Sequence, residues 1–378
     1  MSFAALTSQD PSVRKVRVAR KRPAGYLPTL DGWRAIAILC VLFYHGSYLS
    51  IGPIGTGWLY AHGEIGVELF FAISGFLICS RLLDEEKKFG SISLPSFYIR
   101  RAFRILPPAI TMLLAVAALD LAGVIHLHLR EWIGALLFFH NYSSLLGPAS
   151  VDSFFLNHFW SLAVEEHFYL ILPGVLVLTR RRWRVITLLS LALTVELYRS
   201  FVLRTTQWNL VSHHTGCRLD ALLIPAALAV IASKTQARKV LTNLALGTPL
   251  VLGAVILLVT YGHSRGWEVT ALAVLMAMLV LGSVLNSGSY LGRALEWAPL
   301  RFIGRISYSV YLWQELFFTG HFRPQSSPFG FLGHFPMDFV VTIGIAALSY
   351  YFIERPMMQM GRRLAPRFIP GRDELAVK

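Results

Sequence analysis

The sequence predicts an all-α, polytopic membrane protein with about ten transmembrane helices and both termini in the cytoplasm. Hydrophobic residues make up 55% of its 378 residues and charged residues only 15%, and the mean hydropathy is +0.55. Soluble domains carry roughly 25% charged residues, so water would not solvate this much apolar surface. A bilayer does, because each crossing needs about 20 mostly apolar residues and several such runs follow one another here.

Ten apolar runs, taken in chain order, predict the crossings. They are residues 34–51, 65–83, 105–125, 165–179, 185–203, 217–233, 240–261, 268–286, 305–321 and 337–354. The shorter apolar run 131–142 is not counted, because a crossing there would invert the side of every later loop. We therefore expect segment 126–164 to form a long outer or re-entrant element, which at membrane depth needs protein or a water-filled cavity around it.

Loop charges set the predicted orientation. Segment 52–64 carries no Lys or Arg, whereas segment 81–104 carries six and segment 180–184 carries four arginines. By the positive-inside rule the two basic segments are cytoplasmic. The predicted domains are a basic cytoplasmic tail over 1–29, a membrane domain over 30–356 and a second basic cytoplasmic tail over 357–378.

The net charge of +14 does not predict a nucleic-acid partner, because the basic residues sit in short clusters between apolar runs and not on one binding surface. Cys40, Cys79 and Cys217 are isolated and lack the paired spacing of a metal site or a disulfide framework. We expect no resident metal or cofactor. The partner that the composition requires is the lipid bilayer.

The first predicted span contains Arg34 and His45, which are 11 residues apart and therefore on one helix face. At about 1.5 Å per residue, His45 lies roughly 16 Å deeper than Arg34, near the bilayer middle. A neutral imidazole there can take a proton from a hydroxyl as a general base. The alternative is a structural histidine hydrogen-bonded to a neighbouring helix.

Two further patterns point to chemistry. Arg101 and Arg104 are three apart and face one side if this stretch is helical, and guanidinium pairs bind phosphates. The alternative is an ordinary cluster of basic residues that sets the topology.

Glu165 and Glu166 follow the sequence NHFWSLAV at the edge of an apolar run. They point about 100° apart on a helix, so at least one is expected to face the protein interior.

Charged residues inside spans are costly and are functional or paired by default. Glu68 is one candidate, and Arg218 with Asp220 is another. Arg218 and Asp220 are two apart and would not face each other on a straight helix, so each needs another partner. Glu354, at the end of the last span, is expected to be interfacial.

These motifs, in this order and spacing, resemble the acyltransferase-3 family, which includes bacterial polysaccharide, nodulation-factor and antibiotic acyltransferases. The stretches that carry the resemblance are LDGWRAI (30–36) with His45, GVELFFAISGFL (66–77), Arg101 with Arg104, WSLAVEE (160–166), RLDA (218–221), GRISYSVYLW (304–313) and IERP (353–356). In that family the functional positions correspond here to Arg34, His45, Arg101 and Arg104. The resemblance covers almost the whole chain from residue 31 to residue 356.

The chain departs from the family pattern at two positions and in one domain. His167 stands where the family often has Gln, and Gln314 stands where it often has His. Many relatives also carry an esterase-like domain of the SGNH type, which is not recognisable in this sequence. We therefore expect the membrane domain to complete the transfer to the acceptor alone.

The resemblance implies an O-acyltransferase of the bacterial inner membrane that uses acyl-CoA, most simply acetyl-CoA, as a co-substrate. We expect Arg101, Arg104 and Arg34 to hold the CoA phosphates and His45 to deprotonate a hydroxyl of a carbohydrate or glycosylated small-molecule acceptor. Glu165 or Glu166 would orient His45 or bind the acceptor. The residues expected to bind the acceptor are Glu68, Trp160, Ser161, Arg218 and Asp220.

Two alternatives stay open at this point. One is a covalent acyl-enzyme on Ser161 or on His45 in place of direct transfer. The other is a transporter or flippase of a polar substrate, because intramembrane charges also mark substrate pathways. The sequence contains no inverted repeat that would favour transport.

Overall fold

The computed structural model describes residues 26–46, 62–206, 212–234, 237, 240–242, 247–261, 266–318 and 328–368. Over these ranges the secondary structure is helical, without a strand. The longer helices are α1 (Pro28–His45), α2 (Ile65–Phe89), α3 (Leu94–Leu121), α4 (Leu129–Leu136), α5 (Phe159–Leu178), α6 (Arg184–Thr205), α7 (Asp220–Ala232), α8 (Thr248–Tyr261), α9 (Trp267–Leu285), α10 (Ala298–Phe317), α11 (Met337–Ser349) and α12 (Arg355–Leu364). A π-helical turn, Tyr350–Glu354, joins α11 to α12.

The prediction of a multi-span membrane protein is confirmed. Among the described residues, six helices are long and apolar enough to cross a bilayer: Ile65–Phe89, Leu94–Leu121, Phe154–Leu178, Arg184–Thr205, Trp267–Leu285 and Met337–Phe368. Two apolar helices, Asp220–Ala232 and Thr248–Thr260, are shorter. Helices α1 and α10 coincide with predicted spans but are less apolar, because each carries charged residues. The total of ten crossings stays a prediction.

Helix ends differ from the predicted spans where capping residues decide them. Helix α1 begins at Pro28, six residues before the predicted span, because proline suits the first turn of a helix. Helix α3 begins at Leu94, where the Ser93 side chain accepts a hydrogen bond from the Ser96 amide. The basic run 100–104 is therefore helical. Hydropathy therefore locates only the apolar part of such helices and misses their polar first turns.

The first part of segment 126–164 contains no helix long enough to cross a membrane, as predicted, but its last residues belong to the candidate span Phe154–Leu178, which begins eleven residues before the predicted span 165–179. Helix α4 has 8 residues, which at about 1.5 Å each is far short of a roughly 30 Å hydrocarbon core. The Glu131 carboxylate accepts hydrogen bonds from the backbone amides of His128 at 2.7 Å and Ser150 at 3.0 Å. These contacts fold the segment back on itself over the end of the bundle.

Helix α1 lies in the middle of the bundle, between α2 and α10. Gly66 of α2 lies against the Ala37 carbonyl, and Gly304 of α10 lies against the Asp31 carbonyl, so closely that a Cβ at either glycine would overlap the α1 backbone. On a third side, Trp33 donates a hydrogen bond to Ser283 of α9 at 2.8 Å. These contacts fix α1 relative to its neighbours.

Candidate active site

Arg34, Arg101 and Arg104 line one cavity, which we call the inner cavity. It has a volume of about 80 Å³ and lies between α1, α2, α3, α5 and α10. Its polar lining consists of Arg34, Ser74, Arg101, Arg104, Ser161, Glu165, Glu166, Tyr169, Ser307, Tyr308 and Tyr311. The predicted placement of Arg101 and Arg104 on one side of a helix is therefore confirmed.

The three arginines of the inner cavity contact neutral groups. Arg34 donates to the Ser307 hydroxyl at 3.1 Å, and the Arg101 guanidinium lies 4.8 Å from the centre of the Tyr169 ring. Within the described part of the chain, no carboxylate oxygen lies within 4 Å of any of the three guanidinium groups. Three cations without an ion-pair partner make the cavity suitable for an anion.

Both glutamates of α5 face the inner cavity, which confirms that at least one points inward. The Glu165 carboxylate accepts hydrogen bonds from the Ser74 and Tyr169 hydroxyls, each at 2.9 Å. Tyr169 thus contacts Glu165 through its hydroxyl and Arg101 through its ring. Glu165 therefore holds an aromatic ring beneath one of the arginines.

His45 lies next to a carboxylate that sequence analysis did not select. Its Nε2 is 3.7 Å from Oε1 of Glu315 on α10. The other oxygen of Glu315 accepts hydrogen bonds from the His158 backbone amide at 3.0 Å and contacts His158 Nδ1 at 2.6 Å. Glu315 and His158 are each only 1% exposed. We call His45, His158 and Glu315 the histidine cluster.

The histidine cluster adjoins the inner cavity through two hydroxyls. The Ser161 and Tyr311 hydroxyls are 2.5 Å apart, and both line the inner cavity. Both also lie within hydrogen-bond distance of the His158 carbonyl oxygen, at 3.2 Å from Ser161 and 3.4 Å from Tyr311, and with one proton each the two hydroxyls can make two of these three hydrogen bonds at a time. A single layer of hydrogen-bonded groups therefore separates the cavity from the buried imidazoles.

A larger cavity is lined mainly by residues of the segment 126–164. We call it the outer cavity; its volume is about 480 Å³. Its lining consists of Arg130, Glu131, His140, Asn141, Ser143, Ser144, Gly147, Pro148, Ala149, Ser153, Asn157, Trp160 and His213. Asn157 and Trp160 stand on either side of His158 in the chain, so the outer cavity is lined by residues next to one member of the histidine cluster.

Glu68 and Arg218 form an ion pair at 2.5 Å beside a third cavity of about 40 Å³. Trp160 also lines this cavity, 5.9 Å from the Arg218 guanidinium. On its other side Trp160 stacks on His213, with ring centres 4.3 Å apart. Three of the residues predicted to bind the acceptor are thus brought together, and Ser161 lies in the inner cavity.

Asp220, the fifth residue predicted to bind the acceptor, lies apart from the three cavities described above. It is fully buried, and its carboxylate accepts hydrogen bonds from Arg199 at 3.1 and 2.9 Å and from Thr270 at 2.6 Å. The prediction that Arg218 and Asp220 need separate partners is confirmed. The placement of Asp220 favours a structural role.

Some site residues were predicted and others were missed. Arg34 and His45 both contact α10, at Ser307 and Glu315, so their predicted common face is confirmed. Glu315 was missed, although a carboxylate within an apolar run is a signal for a functional or paired residue. The interfacial placement of Glu354 was wrong: its side chain is 1% exposed and accepts a hydrogen bond from Ser309 at 2.8 Å.

The two positions that depart from the family pattern are both inside the bundle. His167 contacts the Thr215 hydroxyl through Nδ1 at 2.7 Å, beside the outer segment. Gln314 is fully buried next to Glu315, and neither atom of its amide has a hydrogen-bond partner among the described residues.

Comparison with known proteins gives relatives whose names all describe O-acetyltransferases or putative O-acetyltransferases. A putative O-acetyltransferase of Staphylococcus aureus strain COL is 30% identical over 389 residues, covering 93% of this chain and 61% of the relative. The putative peptidoglycan O-acetyltransferase YrhL of Bacillus subtilis strain 168 is 30% identical over 365 residues, covering 89% and 56%. The O-acetyltransferase OatA of Staphylococcus aureus strain NCTC 8325 is 28% identical over 378 residues, covering 91% and 59%.

The chain therefore spans about three fifths of the length of these relatives. No solved structure is significantly similar to it. The profile of the acyltransferase-3 family, described as "Acyltransferase domain", matches residues 27–353. This match includes the three arginines of the inner cavity and the whole histidine cluster, and the chain belongs to the acyltransferase-3 family.

Proposed function

We propose that the chain is a membrane O-acyltransferase that moves an acetyl group from acetyl-CoA on the cytoplasmic side to a hydroxyl of a carbohydrate or glycosylated acceptor. The observation that carries this proposal is that two cavities of different chemistry are both lined by residues close to His158 in the chain, Ser161 in one and Asn157 and Trp160 in the other. One cavity presents unpaired cations for a phosphorylated donor. The other is larger and lies on the side of the outer segment 126–164.

In this proposal the inner cavity receives the donor. Arg101, Arg104 and Arg34 bind the phosphates of CoA at the cytoplasmic end, since guanidinium groups bind phosphate in a planar, bidentate way. The Ser161 and Tyr311 hydroxyls line the same cavity, and a hydroxyl proton turned from the His158 carbonyl toward the thioester carbonyl would stabilise an oxyanion.

The chemical step is direct transfer. His45 accepts the proton of the acceptor hydroxyl, the acceptor oxygen forms a C–O bond to the acetyl carbonyl carbon, and the C–S bond of the thioester breaks. The imidazolium then protonates the leaving CoA thiolate, so that the products are an acetyl ester and free CoA. Glu315, 3.7 Å from His45 Nε2, stabilises the transient positive charge.

Glu165 and Glu166 have a different place in this scheme from the one expected. The carboxylate beside His45 is Glu315, whereas Glu165 and Glu166 line the donor cavity. We propose that Glu165 positions Tyr169 under Arg101 and thereby keeps the cavity open for the donor. This role is supported by the hydrogen bond of 2.9 Å between Tyr169 and Glu165.

The test uses the full chain purified into lipid nanodiscs with acetyl-CoA and a mixture of envelope glycans. We expect free CoA thiol to appear together with glycan-bound acetate that mild base releases. The matched control is His45→Ala, which should bind acetyl-CoA and release almost no thiol. Movement of a glycan across a vesicle membrane without thiol release would contradict the proposal and favour transport.

A further inference from the structure

Helix α12 and the turn that follows it carry exposed arginines on the surface of the bundle. We propose that Arg362, Arg363 and Arg367, together with Arg81 of α2, bind the headgroup phosphate of an anionic phospholipid. We call these four residues the arginine patch. Lipid binding of this kind adds a specific partner to the membrane domain and does not depend on the proposed reaction.

The arginine patch lies beyond the apolar part of the last candidate span. That span, Met337–Phe368, has 32 residues, and at about 1.5 Å per residue it is about 48 Å long. The hydrocarbon core is about 30 Å thick, so about 12 residues of this span lie outside it. The apolar residues come first in the span and its three patch arginines come last. The patch therefore lies at the level of the lipid headgroups.

Helix α12 is packed against the first turns of α3. Gly361 is buried, and a Cβ there would lie 2.7 Å from Cβ of Phe103. Beyond the end of α12, the Phe368 carbonyl accepts a hydrogen bond from the Ser93 hydroxyl. The two arginines that follow Gly361 are nevertheless exposed. The patch is thus presented at the surface by a segment whose position on the bundle is fixed at both ends.

The charges of the arginine patch are not neutralised by ion pairs. In the described part of the chain, no carboxylate oxygen lies within 4 Å of any of the four guanidinium groups. Arg81 interacts with Asp84 of its own helix from beyond this distance, and it is close enough to Arg362 for the two cations to repel each other. By contrast, the exposed Arg181 pairs with Glu86 at 3.1 Å. A bound phosphate would relieve the repulsion between the patch arginines.

Apolar side chains accompany these phosphate-binding groups. Guanidinium groups bind phosphate in a planar, bidentate way. Met360 and Phe368, which flank the three arginines of this segment in the chain, are 48% and 49% exposed. In interfacial helices such side chains enter the boundary between headgroups and acyl chains. The combination fits a phospholipid of net negative charge better than a soluble phosphate, which has no acyl chain to contact them.

The arginine patch is separate from the arginines of the inner cavity. None of its four residues lines that cavity. Helix α12 reaches the cavity through Met358, whose Sδ accepts a hydrogen bond from Arg104 at 3.7 Å. A phospholipid on the patch would therefore lie beside the inner cavity and leave it free for the donor.

The experiment measures the affinity of the first phospholipid bound to the full chain, by native mass spectrometry in a neutral detergent. The probes are dioleoyl phosphatidylglycerol, which is anionic, dioleoyl phosphatidylcholine, which is zwitterionic, and glycerol 3-phosphate, which lacks acyl chains. We expect phosphatidylglycerol to bind about tenfold or more tightly than either of the others. Arg362→Gln combined with Arg363→Gln should weaken its binding about tenfold or more, because each basic residue near an anionic headgroup contributes about fivefold.

Arg362→Lys combined with Arg363→Lys keeps the charge and should keep the affinity for phosphatidylglycerol within about threefold. The matched control is Arg181→Gln combined with Arg182→Gln, which changes two adjacent exposed arginines, one of them already paired with Glu86. It should change the affinity by less than about twofold. An unchanged melting temperature in detergent shows that each variant is folded.

Four outcomes would each overturn the inference: equal affinity for the two phospholipids, equally tight binding of glycerol 3-phosphate, unchanged binding in the glutamine variant of the patch, or an equal loss in the control. The samples contain no acetyl-CoA. These outcomes therefore leave the proposed reaction untouched, and the release of thiol from acetyl-CoA tests that reaction separately.

Discussion

The inner and outer cavities differ in whether their arginines have a carboxylate as an ion-pair partner. Arg34, Arg101 and Arg104 line the inner cavity with no carboxylate within 4 Å among the described residues. Arg130 lines the outer cavity and is neutralised by Glu131 at 3.0 Å. The difference indicates that positive charge is kept available only where we place a phosphorylated donor.

Other buried arginines pair with a carboxylate, as Arg130 of the outer cavity does. Arg184 pairs with Glu86 at 2.6 Å, and Arg199 pairs with Asp220 at 2.9 Å. A buried charge without a partner is costly, so pairing is the ordinary state. The inner-cavity arginines are exceptions, and exceptions of this kind mark functional sites.

The largest expected effect is at the boundary between the two cavities. His45→Ala should lower turnover by about 10²- to 10⁴-fold, the usual loss when a general base is removed, while acetyl-CoA binding stays unchanged. The wild-type rate should also fall at acid pH, since protonation removes the base, and this limb should be absent from the residual rate. Turnover is measured per mole of folded, donor-binding protein. Near-normal turnover on that basis would remove His45 from the mechanism.

A smaller effect should follow from the carboxylate that holds the cluster together. Glu315→Gln should lower kcat by roughly 10²-fold with little change in either KM, because it removes the charge that stabilises the imidazolium. Glu315→Asp should recover part of kcat, and the acid limb should shift between the variants. Loss of activity only in proportion to loss of folded protein would make Glu315 structural.

The contrast between paired and unpaired arginines predicts an effect on donor binding. Arg101→Ala and Arg104→Ala should each weaken acetyl-CoA binding by about 1.5–3 kcal/mol if the contacts are charge-assisted, and lysine should restore it only partly. Arg181→Ala is the control, since this arginine is 69% exposed and pairs with Glu86. If both inner-cavity variants bind the donor normally but insert with altered topology, the arginines only set orientation.

The smallest expected effect is a loss of stability of the outer segment 126–164 at acid pH. The pKa of His140 is lowered by burial from 6.5 to about 4, so an opened segment, in which the ring regains its ordinary pKa, binds more protons between these values. The closed form therefore loses stability as the pH falls through this range. From pH 7 to 5.5 the loss is about 1 kcal/mol, which should lower the amide protection factors of residues 126–160 several-fold when each exchange rate is divided into the intrinsic rate at the same pH. His140→Gln should reduce this drop in protection, and an unchanged drop would contradict the assignment.

Sequence analysis predicted the parts of the site that are local in the chain. The common face of Arg34 and His45 follows from helical periodicity, and the inward direction of Glu165 follows from its place in an apolar run. The pairing of His45 with Glu315 could not be predicted, because it depends on how α1 packs against α10 across 270 residues of sequence. For the same reason, the separation of Glu315 from Glu165 and Glu166 needed the structure.

The outer cavity shows a second limit of sequence reasoning. Apart from Trp160 and His213, its lining comes from α4, the turn at 140–146 and the residues before α5, which are too short and too irregular to give a periodic pattern. Loop charge identified this segment as non-crossing. Its shape follows from backbone hydrogen bonds to Glu131, which no charge pattern encodes.

The tight fit of α1 between Gly66 and Gly304 has a consequence for how the reaction is timed. Because α1 packs closely against a glycine of α2 and a glycine of α10, it cannot slide or rotate unless these contacts are broken. The distance of roughly 16 Å between Arg34 and His45 along α1 is therefore fixed, and it covers about half of the membrane thickness. In the proposed reaction, the flexible pantetheine arm of the donor, and not a movement of α1, would span the distance between the arginines that hold the phosphates and His45.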